Sequence, residues 1–232
     1  MEPLRVVNLS KRYGEEVAIA GVTFSAAAGD VIGIVGPNGA TTLLEVMAGL
    51  VSADSGGVFW LGDSLSPSRR KAAMFYLPDG VRPYQDRFTI EVLNFFAGVY
   101  GRPKTEVNRA IASVELQPVL RKRMSALSKG YNRRLLLAIG LLTPEPVLLM
   151  DEPFDGFDLR QTRSVIEVVR KAASRGRAFI LAIHQLADAE RVCDRFILLA
   201  GGQVRGIGSL RELRAQTGLP QGSLEEIFLP LT

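Results

Sequence analysis

Four short stretches of this chain carry residue types that could do chemistry. The first is Gly36-Pro37-Asn38-Gly39-Ala40-Thr41-Thr42, which follows the β-branched run Val31–Val35. A buried strand, a glycine turn and then a helix form the context in which backbone N–H groups cradle a phosphate. The stretch fits the phosphate-loop pattern G-x-x-x-x-G-K-[ST] at both ends. In the middle, Ala40 runs straight into Thr41 where a glycine and a lysine belong. The second stretch is Asp151-Glu152, directly after Val147, Leu148, Leu149 and Met150. Two acids after an apolar run sit at the carboxyl end of a buried strand. There Asp151 would face a magnesium ion through water, and Glu152 would be placed to polarise an attacking water. The third is Ser128-Lys129-Gly130-Tyr131 after Leu127. Ser128 reads as an N-cap, and a serine, a glycine and a helix start make a second anion-binding surface. The fourth is His184, the only histidine, directly after the apolar residues 178–183. Taken singly, each stretch also has an inert reading: a common turn, a solvated acidic turn, a plain capped helix and a structural histidine.

The elements that must position these residues follow from the hydrophobic period. Residues 1–30 alternate apolar and polar with turn signals at 11–14 and 29–30, which predicts short antiparallel strands. Residues 31–35 read as a buried strand. Residues 41–50 read as a helix with Leu44, Met47 and Ala48 on one face. Further strands are predicted at 57–62 and 74–77. From Thr89 to about Leu142 helical spacing takes over, through Val92, Leu93 and Phe96, then Val107, Ile111 and Val114, then 135–139. Strand and helix alternate again afterwards: a strand at 147–150, a helix at about 160–174 and a strand at 178–183. A last strand at 196–199 meets a hairpin turn at Gly201-Gly202. The tail, 210–231, is amphipathic and reads as helical. This alternation predicts a mostly parallel sheet with covered faces, and such sheets bind ligands outside the carboxyl ends of their strands.

The chain has 232 residues, 47% of them hydrophobic and 22% charged, which suits one globular domain with a buried core. Twenty-eight basic residues against 24 acidic ones give a mild +4. The runs Arg69-Arg70-Lys71 and Arg121-Lys122-Arg123 have no interleaved aromatics and read as solvated surface, so no nucleic-acid partner is expected. A mild basic balance also suits the neighbourhood of an anionic membrane. A single cysteine, Cys193, rules out a disulfide or zinc framework within the chain, fits a reducing compartment, and reads as a packing residue. Met1-Glu2-Pro3-Leu4 does not read as a secretory leader. The most apolar segment, 135–150, is broken by Thr143-Pro144-Glu145-Pro146, short of the ~18–20 apolar residues that span a bilayer. A soluble protein is expected, with any membrane role supplied by a partner.

The order of the four stretches, spread over the whole length, resembles the ATP-binding domain of the ATP-binding cassette (ABC) family. In that resemblance Gly36, Pro37, Asn38, Gly39, Ala40, Thr41 and Thr42 correspond to the Walker A loop apart from its gap. Ser128, Lys129, Gly130 and Tyr131 correspond to the family signature, usually Leu-Ser-Gly-Gly-Gln. Asp151 and Glu152 correspond to Walker B, Gly156-Phe157-Asp158 to the D-loop, and His184 to the switch histidine. Tyr13 stands where an aromatic stacks on adenine. The resemblance implies an α/β P-loop NTPase (RecA-like) core with an antiparallel β-subdomain and an α-helical subdomain at about 87–143. It implies ATP and Mg²⁺ as cofactors, with Thr41, Asp79 and Asp151 toward the metal and Glu152 and His184 as the catalytic pair. It also implies two such subunits sandwiching two ATP molecules, each signature facing the other subunit's γ-phosphate, and permease subunits that hold the protein at the cytoplasmic face of a membrane. The stretch 77–88 would couple to those permeases.

Several positions depart from the family pattern. Lys129 and Tyr131 replace the signature's second-position glycine and its glutamine, and the Q-loop glutamine appears as Asp79, with Gln85 standing too late. The missing Gly-Lys matters more. It removes the point charge that reaches the β- and γ-phosphates together with two backbone donors. No other lysine is close in sequence. Weak ATP binding and little turnover are therefore expected of this chain. The leading reading is the ATP-binding subunit of an ABC transporter, impaired by the gap. The alternatives are a module that dimerises and docks without hydrolysing, and a soluble ABC ATPase outside transport.

Overall fold

The computed structural model describes residues 3–82 and 84–231; Met1 and Glu2, in the stretch read for a leader, and Pro83, inside the coupling stretch 77–88, lie outside them. Strands β1 (Leu4–Tyr13) and β2 (Glu16–Ala26) form a long antiparallel pair. Strand β3 (Val31–Val35) leads through residues 36–39 into α1 (Ala40–Ala48). The short strands β4 (Ser55–Trp60) and β5 (Asp63–Ser64) and a 3-10 turn at Pro67–Ala72 precede β6 (Met74–Leu77). Between β6 and the next strand the chain is helical: α2 (Thr89–Val99), α3 (Lys104–Ser113) and α4 (Lys129–Leu142). Then come β7 (Val147–Asp151), α5 (Leu159–Ala173), β8 (Ala178–Ala182), α6 (Leu186–Val192), the hairpin β9 (Arg195–Ala200) and β10 (Gln203–Gly208), α7 (Leu210–Thr217) and α8 (Leu224–Phe228). The tail read as one helical stretch is two helices. Gly218, at φ +71°, ends α7, and Ser223 caps α8 by accepting from the Glu226 N–H at 3.2 Å.

One sheet runs in the order β5-β4-β1-β2-β10-β9-β3-β8-β7-β6. Strands β9, β3, β8, β7 and β6 are parallel neighbours, and the other side is antiparallel apart from a single parallel pairing of β10 with β2. The central strands are buried on both faces. Val31, Leu148 and Phe179 face a core shared with α2–α6, while Ile32, Leu149 and Ile180 face one shared with α1 and the antiparallel strands.

Helix α1 begins at Ala40, one residue before the expected start, and ends at Gly49. Leu43, Leu44, Val46 and Met47 are buried, so α1 keeps its apolar face on the core behind the short loop. Its far end is pinned by Arg70. That residue belongs to a run read as solvated surface, yet it is buried: Nε donates to the Leu65 carbonyl at 3.3 Å and Nη1 to that of Val46. A cation at the carboxyl end of a helix satisfies carbonyls that have no partner within it.

Candidate functional site

The parallel strands end level with one another. Ile34 of β3 pairs with Ala182 of β8, and Ala182 pairs with Asp151 of β7. The loop after β3, the acids after Met150 and the histidine after Ile183 therefore meet at one edge, although they are far apart in sequence. Strand β8 lies between the other two, so His184 emerges between the glycine loop and the acids.

The loop Gly36–Gly39 is held tightly from behind. A Cβ on Gly36 would lie 2.2 Å from the Leu199 carbonyl oxygen, and one on Gly39, at φ +93°, 2.5 Å from that of Ala18. Only glycine fits either position. Pro37 and Asn38 fill the turn between them, and Ala40 and Thr42 enter α1 with Thr41. Thr41 Oγ1 donates to Asp151 Oδ1 at 3.3 Å, and the Tyr76 hydroxyl lies 3.5 Å from Asp151 Oδ2. Burial pushes the Asp151 carboxyl above the usual carboxylate range, against the Thr41 bond, and the Asp79 charge adds to the rise. Burial likewise raises Glu152, against the nearby His184, while Asp151 adds to the rise. His184 Nε2 stands 3.1 Å from Glu152 Oε1. A carboxylate whose affinity for a proton is raised by burial is a better base at neutral pH. Burial, first, and Asp151, second, push the Tyr76 phenol up as well.

The other sequence-derived residues are distributed less uniformly. Ser128 caps α4, accepting from Tyr131 N at 3.4 Å. Lys129 is engaged within its own chain by Asp155, and Gly130 packs on the Phe157 ring. Asp158 spends its carboxylate on the cap of α5, accepting from Gln161 N at 2.8 Å. Tyr13 ends β1 half-exposed, with Lys11 Nζ 5.5 Å above its ring; the chain then returns along β2 to Ala18, which backs Gly39. Asp79 is not joined to Thr41 or Asp151 by a hydrogen bond. Its carboxylate pairs with Arg133 at 2.7 Å. Arg133 went unassigned in the sequence, as did Arg134, which reaches Glu115 at 2.6 Å. The signal for both was a pair of arginines at the start of a helix that turns wholly apolar at Leu135.

The donor set suits a hard cation. Neighbouring corners of a magnesium octahedron lie about 3 Å apart, close to the Thr41–Asp151 separation of 3.3 Å. The phosphate side fits only in part. The loop and the start of α1 offer backbone N–H groups, but no lysine or arginine occurs between Arg12 and Arg69. Lys129 and Arg133 are already engaged by Asp155 and Asp79.

Residues 19–155 match the family model of ABC transporters. The chain belongs to the ABC transporter family. It is one of the family's ATP-binding subunits, an ATPase by class. Over its whole length it is 28% identical to the ATP-binding protein EcsA of Bacillus subtilis, covering 97% of that protein. It is 34% identical over 208 residues to the Nod factor export ATP-binding protein I of Rhizobium meliloti, which is 85% of this chain and 61% of the relative. Among solved structures it is similar to an ATP-binding subunit of an ABC transporter, with a TM-score of 0.87 and 29% identity over 99% of both chains. The ABC fold is thus present around the loop Gly36–Gly39. Among the described residues no helix is long and apolar enough to cross a membrane.

Proposed function

We propose that this ABC subunit is built to bind Mg-ATP and hydrolyse it in the service of transport, and that the missing Gly-Lys leaves the hydrolytic groups assembled while the phosphate grip is weak. The observation that carries the reading is the pair of contacts at one sheet edge, Thr41 with Asp151 and Glu152 with His184. Thr41 and Asp151 would hold the cation, and ATP supplies the phosphoanhydride bond. Glu152 takes a proton from water, and His184 keeps its carboxylate in place and contacts the γ-phosphate. Asp79 serves through the loop after β6 and Arg133. Gly36–Thr42 wrap the phosphates, and Tyr13 stacks on the adenine.

A second such subunit would bring its Ser128, Lys129, Gly130, Tyr131 and Asp158 to this one's nucleotide. Membrane permeases would dock on the loop after β6. The exposed Val81, Tyr84, Phe88, Phe95 and Val99 support that docking; the Tyr84 and Phe95 rings meet at 5.6 Å. Exposed apolar side chains gathered on one stretch mark an interaction site. The protein would then sit at the cytoplasmic face.

The test is a titration with fluorescent ATP, with and without Mg²⁺. Thr41→Val should remove the gain that Mg²⁺ gives and leave the Mg²⁺-free affinity unchanged. Equal Mg²⁺ dependence in parent and variant sinks the assignment. The absent lysine favours a second reading, a module that dimerises and docks without turnover; restoring the lysine, as worked out below, separates the two.

A further inference from the structure

Beyond its pair with Asp79, Arg133 makes contacts that the proposed hydrolysis does not use. It lies near the start of α4, its side chain is 8% exposed, and its guanidinium reaches two separate segments, Asp79 and residues 151–155. Nη1 donates to the Glu152 carbonyl and, at 3.5 Å, to that of Asp151. Nη2 donates to Asp79 at 2.7 Å and to Asp155 at 3.2 Å. Glu152, whose carbonyl it holds, has φ +47°, in the left-handed region that residues with side chains rarely adopt. The Glu152 N–H donates to the Ala182 carbonyl at 3.0 Å. Glu152 is thus held through its N–H by β8 and through its carbonyl by Arg133 and, at 3.3 Å, by the Asp155 N–H of the following turn.

The left-handed turn has a consequence for the site. Along an extended strand consecutive side chains point to opposite faces. The turn at Glu152 breaks that alternation: Asp151 meets Thr41 while Glu152 meets His184 at the same sheet edge. We propose that Arg133 is a positioning residue. Its guanidinium fixes Glu152 in the left-handed conformation and so sets the carboxylate against His184, with Asp79 and Asp155 orienting the guanidinium. A plain ion pair explains the contacts less well. Both carboxylates are more than two-fifths exposed, where a pair contributes little, whereas the bonds to the backbone are shielded. Nε is buried without a partner, so the side chain is aimed by its two Nη groups at the cost of its third donor site. The adjacent Asn132 donates to the Val81 carbonyl at 2.8 Å, so one turn of α4 holds both Glu152 and the loop after β6. The inference rests on reading Glu152 and His184 as the hydrolytic pair.

Because His184 is the only histidine, its imidazole NMR signals at one fixed pH report where Glu152 lies, with no nucleotide present. Arg133→Lys keeps the charge and loses the fork; Arg133→Met loses both. Both should shift the His184 ring signals, the methionine variant more. Arg170→Met, which breaks the remote Arg170–Asp194 pair, should leave them in place. With Gly-Lys restored to the loop, Arg133→Lys should lower kcat about 10- to 100-fold at nearly unchanged KM for ATP, as expected for a misplaced base. If neither Arg133 variant folds, the double substitution Asp79→Asn, Asp155→Asn, which releases the guanidinium from both carboxylates, takes their place. His184 signals that superimpose on the parent's in a folded Arg133→Lys or the double variant overturn the proposal. Shifted signals, together with no turnover in the restored chain, would keep the positioning role and discard the hydrolytic reading.

Discussion

Inserting Gly-Lys between Ala40 and Thr41 asks most directly what the loop lacks. Two outcomes compete for the added length. If α1 turned to absorb it, the helix would rotate by ~200°. Leu43, Leu44, Val46 and Met47 would then leave the core. At ~1.5–3 kcal/mol per side chain that is roughly 6–12 kcal/mol, of the order of a domain's whole stability. Arg70 on the Val46 carbonyl and the cap at Gly49 hold the far end of the helix against such a turn. The loop therefore lengthens, and Thr41 keeps its place beside Asp151. A lysine ammonium about 4 Å from a phosphate charge gains about 4 kcal/mol at an effective dielectric near 20. Lysine desolvation and ordering reduce this toward the ~1.5–3 kcal/mol typical of hydrogen bonds to charged groups. Mg-ATP should bind roughly 10- to 150-fold tighter in the inserted chain. Calorimetric titration of parent and inserted protein measures the gain, and steady-state phosphate release shows whether turnover returns with it. An affinity within about threefold of the parent, in a protein that unfolds at the same temperature, would refute the reasoning. Restored binding without turnover would favour the docking module.

Other expectations follow from the same geometry. In the inserted chain, Glu152→Gln should cut turnover by at least ~100-fold while ATP binding persists; a normal rate there removes Glu152 as the base. Asp151 and Glu152 hold their protons more tightly folded than unfolded, so their contribution to stability is full below the unfolded carboxylate range and is lost as pH rises through their folded values. Asp151→Asn should accordingly raise the melting temperature at pH 7.5, with the gain vanishing in acid; a gain that grows on acidification contradicts the buried-charge account. Arg70→Met leaves the Leu65 carbonyl unpaired and the Val46 carbonyl with the Gly49 N–H alone. It should cost about 1–3 kcal/mol, a fall of a few degrees in melting temperature; an unchanged melting curve would mean that α1 needs no such pin.

The sequence determined the family, the order of elements and the departure of the loop from the phosphate-loop pattern. Those depend on residue identity and short-range pattern: four apolar residues before Asp151, six before His184, glycines bracketing a turn, and Ala40 joined to Thr41. Each signal lies within a few neighbouring residues, so no contact had to be known to read it. Tertiary structure decided what lies beyond that range. That β8 inserts between β3 and β7, bringing His184 to Glu152, is a matter of strand order, which local pattern does not carry. That Arg70, in a run read as solvated surface, instead pins the end of α1 depends on a carbonyl 24 residues away. That Asp79 answers to Arg133, 54 residues away, could not be read from either residue's surroundings in the chain. Ionic and hydrogen-bonding partners are chosen by the packing of distant segments, and a charged residue looks the same in sequence whether it ends in solvent, as Arg121 does, or under a strand end, as Arg133 does.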